Sequence, residues 1–207
     1  MRRQRKIELL PQLVESLVGD TRDVFLLFVD LCGSTEYKMY CSAQGQPDST
    51  WILRQLIFLQ GAAALVKQYR GVVVKTIGDE LFAYFESTAD PENVLKCAIE
   101  IIQGYENLKA YQGKARLVAR VSLDVGLTYN GSIIASVPFD PIGSPVDRCA
   151  RLNSIAKNNE IVFSEDFLAA IENKLSPQGF KSKYGYKTYS KKVKGFGKIK
   201  FYSIFAK

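Results

Sequence analysis

Two apolar runs, Val72-Val73-Val74 leading to Ile77 and Leu81-Phe82-Ala83-Tyr84-Phe85, are separated by little more than Gly78-Asp79-Glu80. A gap that short forces the chain to reverse on itself. Glycine supplies the left-handed backbone of a tight turn, and the β-branched and aromatic residues on either side favour paired strands. Residues 72–85 therefore read as a β-hairpin with the Asp79 carboxylate at its tip. A second carboxylate, Asp30, ends another apolar run, Val24-Phe25-Leu26-Leu27-Phe28-Val29, just before Cys32-Gly33-Ser34-Thr35. Two acids at strand ends, brought together, are what a pair of Mg²⁺ or Mn²⁺ ions needs to grip a triphosphate. The pattern points to a metal-dependent nucleotide enzyme.

Composition narrows the chemistry. The chain has no histidine, which removes His-based triads, zinc-protease sites and histidine general bases. Its four cysteines, Cys32, Cys41, Cys97 and Cys149, show no metal-finger spacing and read as reduced thiols of a cytoplasmic protein. The basic start, Met1 to Lys6, is followed by Glu8, Pro11 and Glu15, so no secretory signal is expected, and no apolar stretch reads as a membrane span. Residues 174–207 hold ten lysines and no acid, which makes the rest of the chain net acidic against a total of +7. Such a stretch suits a polyphosphate, an anionic surface or simple solvation.

The pattern of elements is that of one domain. Residues 1–20 read as a helical arm with an apolar stripe of Leu9, Leu10, Leu13, Leu17 and Val18, and 21–207 as the catalytic domain. A strand at 24–30 leads to a helix opened by Gly33-Ser34-Thr35, a break at 44–48 and a long helix at 49–69. After the hairpin, Asp90-Pro91 opens a helix running to about 110. Strands at 116–128 and 132–137 flank the Asn130-Gly131 turn, and 138–145 read as a loop. A helix at 146–157, a strand at 161–163, a helix at 165–172 and a terminal hairpin at 179–206 complete an α+β layout with helices on a mostly antiparallel sheet.

Taken in order, five segments resemble the class III nucleotidyl cyclase catalytic domain. They are Phe28-Val29-Asp30-Leu31-Cys32-Gly33-Ser34-Thr35, Lys75-Thr76-Ile77-Gly78-Asp79, Val125-Gly126-Leu127 with Asn130-Gly131, residues 140–152, and Val193-Lys194-Gly195 with residues 201–204. The resemblance implies a ferredoxin-like, homodimeric fold with active sites at the subunit interface. One subunit would supply Asp30, Asp79 and the Leu31 carbonyl as ligands for two Mg²⁺ or Mn²⁺ ions. The partner would supply Arg151 and Asp147 to the transition state and sugar. Gly33, Ser34, Thr35 and Lys194 would hold phosphates, with Lys198 and Lys200 as rivals of Lys194. Lys75 and Asp140 would read the base. The reaction is attack of the ribose 3′-oxygen on the α-phosphorus, with loss of pyrophosphate.

Two departures stand out. Asp147 replaces the asparagine usual in the family, a carboxylate that needs protonation, a metal or a turn toward Arg148 or Arg151 to sit near phosphate. Asp124 stands where some members carry a phosphate-binding arginine, leaving that task to Arg120 or Arg116. Within the family a Lys/Asp reading pair goes with adenine and disfavours guanine. By hydrogen-bond logic, a lysine donor and an aspartate acceptor also suit cytosine and uracil. A free-standing catalytic domain resembles the bacterial pyrimidine cyclases of anti-phage signalling, and Tyr37-Lys38-Met39-Tyr40 could fill space that a purine needs. UTP or CTP is therefore expected, with ATP as the alternative and an unidentified activator as a further partner. A silent nucleotide-binding module is the second alternative. Nucleic acid is disfavoured, because no RNP-type aromatic motif accompanies the basic hairpin.

Overall fold

The computed structural model describes residues 20–132 and 139–205. The expected arm lies outside the described residues apart from Asp20, as does the expected strand at 132–137 apart from Ser132. The elements are β1 Thr21–Leu31, α1 Ser34–Ala43, α2 Ser49–Gln68, β2 Val72–Ile77, β3 Glu80–Glu86, α3 Pro91–Glu106 and β4 Ala119–Asn130. Then come β5 Pro141–Ile142, α4 Ser144–Ile155, β6 Glu160–Ser164, α5 Glu165–Glu172, α6 Pro177–Tyr184, β7 Lys187–Val193 and β8 Gly197–Phe205.

The sheet runs β2-β3-β1-β4-β6-β8-β7, with β5 paired to β4. Every pairing is antiparallel except β4 with β6. The first four strands form the split βαβ arrangement in which β1 lies between β3 and β4. Strand periodicity then divides β1 between two faces. Odd-numbered Phe25, Leu27, Val29 and Leu31 join the main core with residues of α2, α3 and α5. Even-numbered Val24, Leu26 and Phe28 form a smaller core with Phe82, Tyr84, Phe139 and Cys149, the last on α4.

Three expectations need correction. Residues 177–184 are helix rather than the start of a hairpin. Ser176 Oγ accepts from the Gly179 N–H, Pro177 fits the first turn, and Gly185, at φ 62°, ends the helix. The stretch read as a loop contains β5, because the Gly131 N–H donates to the Asp140 carbonyl and brings Pro141 opposite Asn130. Helix α2 is long and apolar enough to cross a membrane, with mean hydropathy 1.2. Its Phe58, Leu59, Ala62 and Val66 instead pack into the main core. Its buried Arg54 donates to the Ala115 and Arg116 carbonyls at 3.0 and 2.7 Å.

Candidate active site

The hairpin forms as its sequence demands. Gly78 takes φ 63°, Ile77 pairs with Glu80, and Asp79 sits at the tip. Gln55 Nε2 of α2 donates to the Gly78 carbonyl at 2.8 Å, and Ser34 Oγ donates to Asp79 Oδ2. Gly33, at φ 71°, turns the chain from β1 into α1, so the free N–H groups of that helix open beside the two acids.

Register explains why Asp30 joins them. Asp30 faces Glu80 on one side and Arg120 on the other, one row beyond the stacked rings of Phe28 and Phe82. The small core ends there and a polar row begins. Arg120 Nε and Nη2 lie 2.7 and 2.6 Å from Asp30 Oδ2. Burial pushes the Asp30 carboxyl above its ordinary value, Asp79 adds to the rise, and Arg120 opposes it. Burial, then repulsion from Asp30, raises Glu80 to about 7. Burial likewise lifts the Cys32 thiol to about 11, so no thiolate forms here at neutral pH.

Asp30, Leu31, Gly33, Ser34, Thr35 and Asp79 line one cleft of about 350 Å³, together with Arg120 and Asn158. The donors are carboxylate, carbonyl and hydroxyl oxygens, the set preferred by hard divalent cations. Among the described residues no group of three or more His, Cys, Asp or Glu side chains could hold a metal ion by itself. The two aspartates therefore fit a cation that completes its shell with water and phosphate oxygens.

The remaining expected residues lie elsewhere. Lys75 Nζ meets Asp140 Oδ2 at 2.6 Å, while Asp140 Oδ1 is buried without a hydrogen-bond partner among the described residues. The residues just before them, Val74 and Phe139, belong to the small core. Asp147 and Arg151 are exposed on α4, and Lys194 is exposed in the turn between β7 and β8. The two acids and the start of α1 thus share one cleft, while the Lys75–Asp140 pair, Asp147, Arg151 and Lys194 lie outside its lining.

One feature of Asp147's surroundings differs from expectation. Arg148 does not turn to Asp147; it binds Asp124 through Nε–Oδ2 and Nη2–Oδ1 contacts of 2.7 Å each, and also Asp166. Asp124 is fully buried and takes no phosphate-facing position. Sequence reasoning missed Glu80 and Asn158 and left Arg120 as a phosphate candidate. The signal for Glu80 was present, because a two-residue turn after Ile77 fixes its pairing and hence its face.

The sequence model of the Adenylate and Guanylate cyclase catalytic domain family matches residues 18–206. A comparison with curated proteins finds no match. Among solved structures, the guanylate cyclase domain of RhGC from Catenaria anguillulae, in complex with GTP, superposes with TM-score 0.70 at 19% identity, covering 88% of this chain and 96% of that one. The adenylyl cyclase CyaB from P. aeruginosa gives 0.69 at 18%, covering 89% and 94%. Adenylate cyclases from Trypanosoma brucei, in their monomeric state, give 0.71 at 17%, covering 89% and 90%. These likenesses establish a shared fold, and the family match runs through both acids, the hairpin and α4. This chain belongs to the adenylate and guanylate cyclase catalytic domain family, the class III nucleotidyl cyclases.

Proposed function

We propose that two copies of this chain assemble into a cytoplasmic cyclase with shared sites, converting a pyrimidine nucleoside triphosphate to its 3′,5′-cyclic monophosphate and pyrophosphate. The observation that carries this reading is the division of the machinery. The acids and the start of α1 share a cleft, whereas Asp147, Arg151 and Lys194 lie exposed on other elements. A second copy brings the missing groups to each cleft.

In that arrangement Asp30, Asp79 and the Leu31 carbonyl hold the cations, which when bound neutralise the triphosphate and acidify the ribose 3′-hydroxyl. Gly33, Ser34 and Thr35 present N–H and hydroxyl donors to phosphate oxygens at the helix N-terminus. The partner's α4 directs an arginine fork at the charge growing on the α-phosphate, and Lys194 neutralises the terminal phosphates. Asp147 accepts a hydrogen bond from the sugar.

Lys75 donates to the base and Asp140 accepts from it, each exchanging part of their mutual ion pair for the base edge. The same donor and acceptor suit the edge of cytosine or uracil, and the pyrimidine preference rests on the resemblance to the free-standing pyrimidine cyclases. The product, cyclic UMP or cyclic CMP, would serve as a second messenger in anti-phage defence, with an activator that switches synthesis on. A second reading, ATP to cyclic AMP, rests on the same Lys75–Asp140 pair, since adenine also offers an acceptor beside an amino group. The test is a competition among equal ATP, GTP, CTP and UTP with Mn²⁺, products resolved by mass. A dominant cyclic pyrimidine nucleotide is expected. A dominant cyclic AMP peak would establish the second reading, and no cyclic product, with nucleotide still bound, would identify a silent binder.

A further inference from the structure

Helix α4 turns two unlike faces outward and inward. Its exposed residues, Ser144, Asp147, Arg151 and Ser154, are spaced by three, four and three and form one stripe. Cys149, Leu152 and Asn153 are buried on the opposite side. Each residue advances the helix by about 100°, so a small rotation about the axis re-aims the whole stripe. Apolar packing alone tolerates such slippage, whereas directional polar bonds do not.

Directional bonds are what the inward side carries. Ser122 Oγ of β4 donates to the Cys149 carbonyl at 2.8 Å, and Asn153 Nδ2 donates to the Phe28 carbonyl of β1 at 2.9 Å. Arg148 makes the strongest tie. Its planar fork grips both oxygens of the buried Asp124 and reaches Asp166 of α5. Asp124 is saturated, because Ser164 Oγ and the Val125 N–H also donate to it at 2.5 and 2.8 Å. Arg148 follows Asp147 directly and lies three residues before Arg151. A buried ion pair adds little net stability over an apolar pair of the same volume, but a two-pronged fork fixes orientation in a way that no lysine reproduces.

We propose that the Asp124–Arg148–Asp166 strut sets the rotation of α4 and thereby aims Asp147 and Arg151 at the neighbouring copy's cleft. Asp124 and Arg148 are positioning residues for the half-site that each copy lends. The inference rests on the shared-site reading above.

Arg148→Lys keeps the charge and loses the fork. It lowers kcat about tenfold or more while KM stays within about twofold, because the misaimed groups act on the transition state. Asp166→Asn, at an exposed end of the strut, gives a smaller loss of the same kind without risk to folding. Mixing experiments separate aim from integrity. Arg148→Met protein mixed with Asp30→Asn protein regains activity, since one site then draws its acids from the first and its α4 from the second. Arg148→Met mixed with Arg151→Ala does not, because both sites receive a defective α4. Full kcat in Arg148→Met overturns the proposal. So does failure of Arg148→Met with Asp30→Asn while the control pair, Asp30→Asn with Arg151→Ala, is restored. If that control pair itself fails, sites are not shared, and both readings fall together.

Discussion

Strand β4 contributes one member to each of two arginine–aspartate pairs, four residues apart on the same face. At its start Arg120 meets Asp30, and further along Asp124 meets Arg148. The chemistry is the same and the surroundings are opposite. Both Arg120 contacts fall on a single oxygen of Asp30, and Glu80 and Asp79 stand close enough to repel that carboxylate. Asp124 has four hydrogen bonds on its two oxygens, whereas Asp30 lines the cleft. A carboxylate left incompletely satisfied among other acids is disposed to take a cation. One satisfied on every side is a strut. On the proposed reading, the difference separates the cation site from the strut that holds α4.

Removing the acids tests the first half of that contrast with the largest expected effect. Asp30→Asn and Asp79→Asn each lower cyclase kcat about a thousandfold or more, because the cation-binding donor set is broken. Thermal stability stays within a few degrees, since losing the Arg120 contact is offset by relief of repulsion around Glu80. The reverse outcome, retained activity with a collapsed melting temperature, would mean that Asp30 serves the fold and not the site. Asp124→Asn should differ from those two variants by lowering stability as well as kcat, the latter through the misaimed α4. It strips a partly buried guanidinium of its main partner and costs roughly 3 kcal/mol, discounted because Asp166 remains. Calorimetry should register a melting temperature roughly 10 °C lower. Arg120→Gln lies between them. It costs about 1 kcal/mol, as expected for a partly exposed pair, and tightens Mn²⁺ binding without nucleotide, read by EPR, because Asp30 loses its resident cation. Unchanged or weaker Mn²⁺ binding would show that Arg120 does not compete for Asp30.

Most of this contrast was hidden in the sequence for a physical reason. Local signals were legible: the Gly78-Asp79 turn, the Asp90-Pro91 helix start and the apolar β1 all form where their residues demand. Helix α6 was missed although Ser176, Pro177 and Gly185 bracket it, because the aromatic and lysine-rich composition of 179–206 resembles one long hairpin. Pairing across the sheet is a different matter. That Asp30 lies opposite Arg120 depends on strand register over ninety residues, and no local pattern encodes it. The Asp124–Arg148 bond likewise arises from how a helix sits on a sheet. Motifs therefore located the acids, and only the fold showed that Asp30 meets Arg120 and Asp124 meets Arg148.

Glu80 offers the finest test of the same contrast, because it reports the field around Asp30 without being placed as a metal ligand. Its folded value of about 7 stands above the ordinary 4.5, with burial as the main cause and Asp30 next. An acid whose folded value is raised keeps its proton longer in the native state. Its contribution to stability is therefore fully present below about 4.5 and is lost as pH rises through about 7. In metal-free buffer the wild-type melting temperature should decline across that window relative to Glu80→Gln, whose neutral amide holds the low-pH state throughout. In Asp30→Asn the decline should weaken and move to lower pH, since burial persists but the neighbouring charge is gone. A decline that is the same in Asp30→Asn as in wild type would mean that Glu80 does not feel Asp30. The row at the open end of β1 would then be as electrostatically quiet as the strut, and the distinction between the two pairs would rest on solvent access alone.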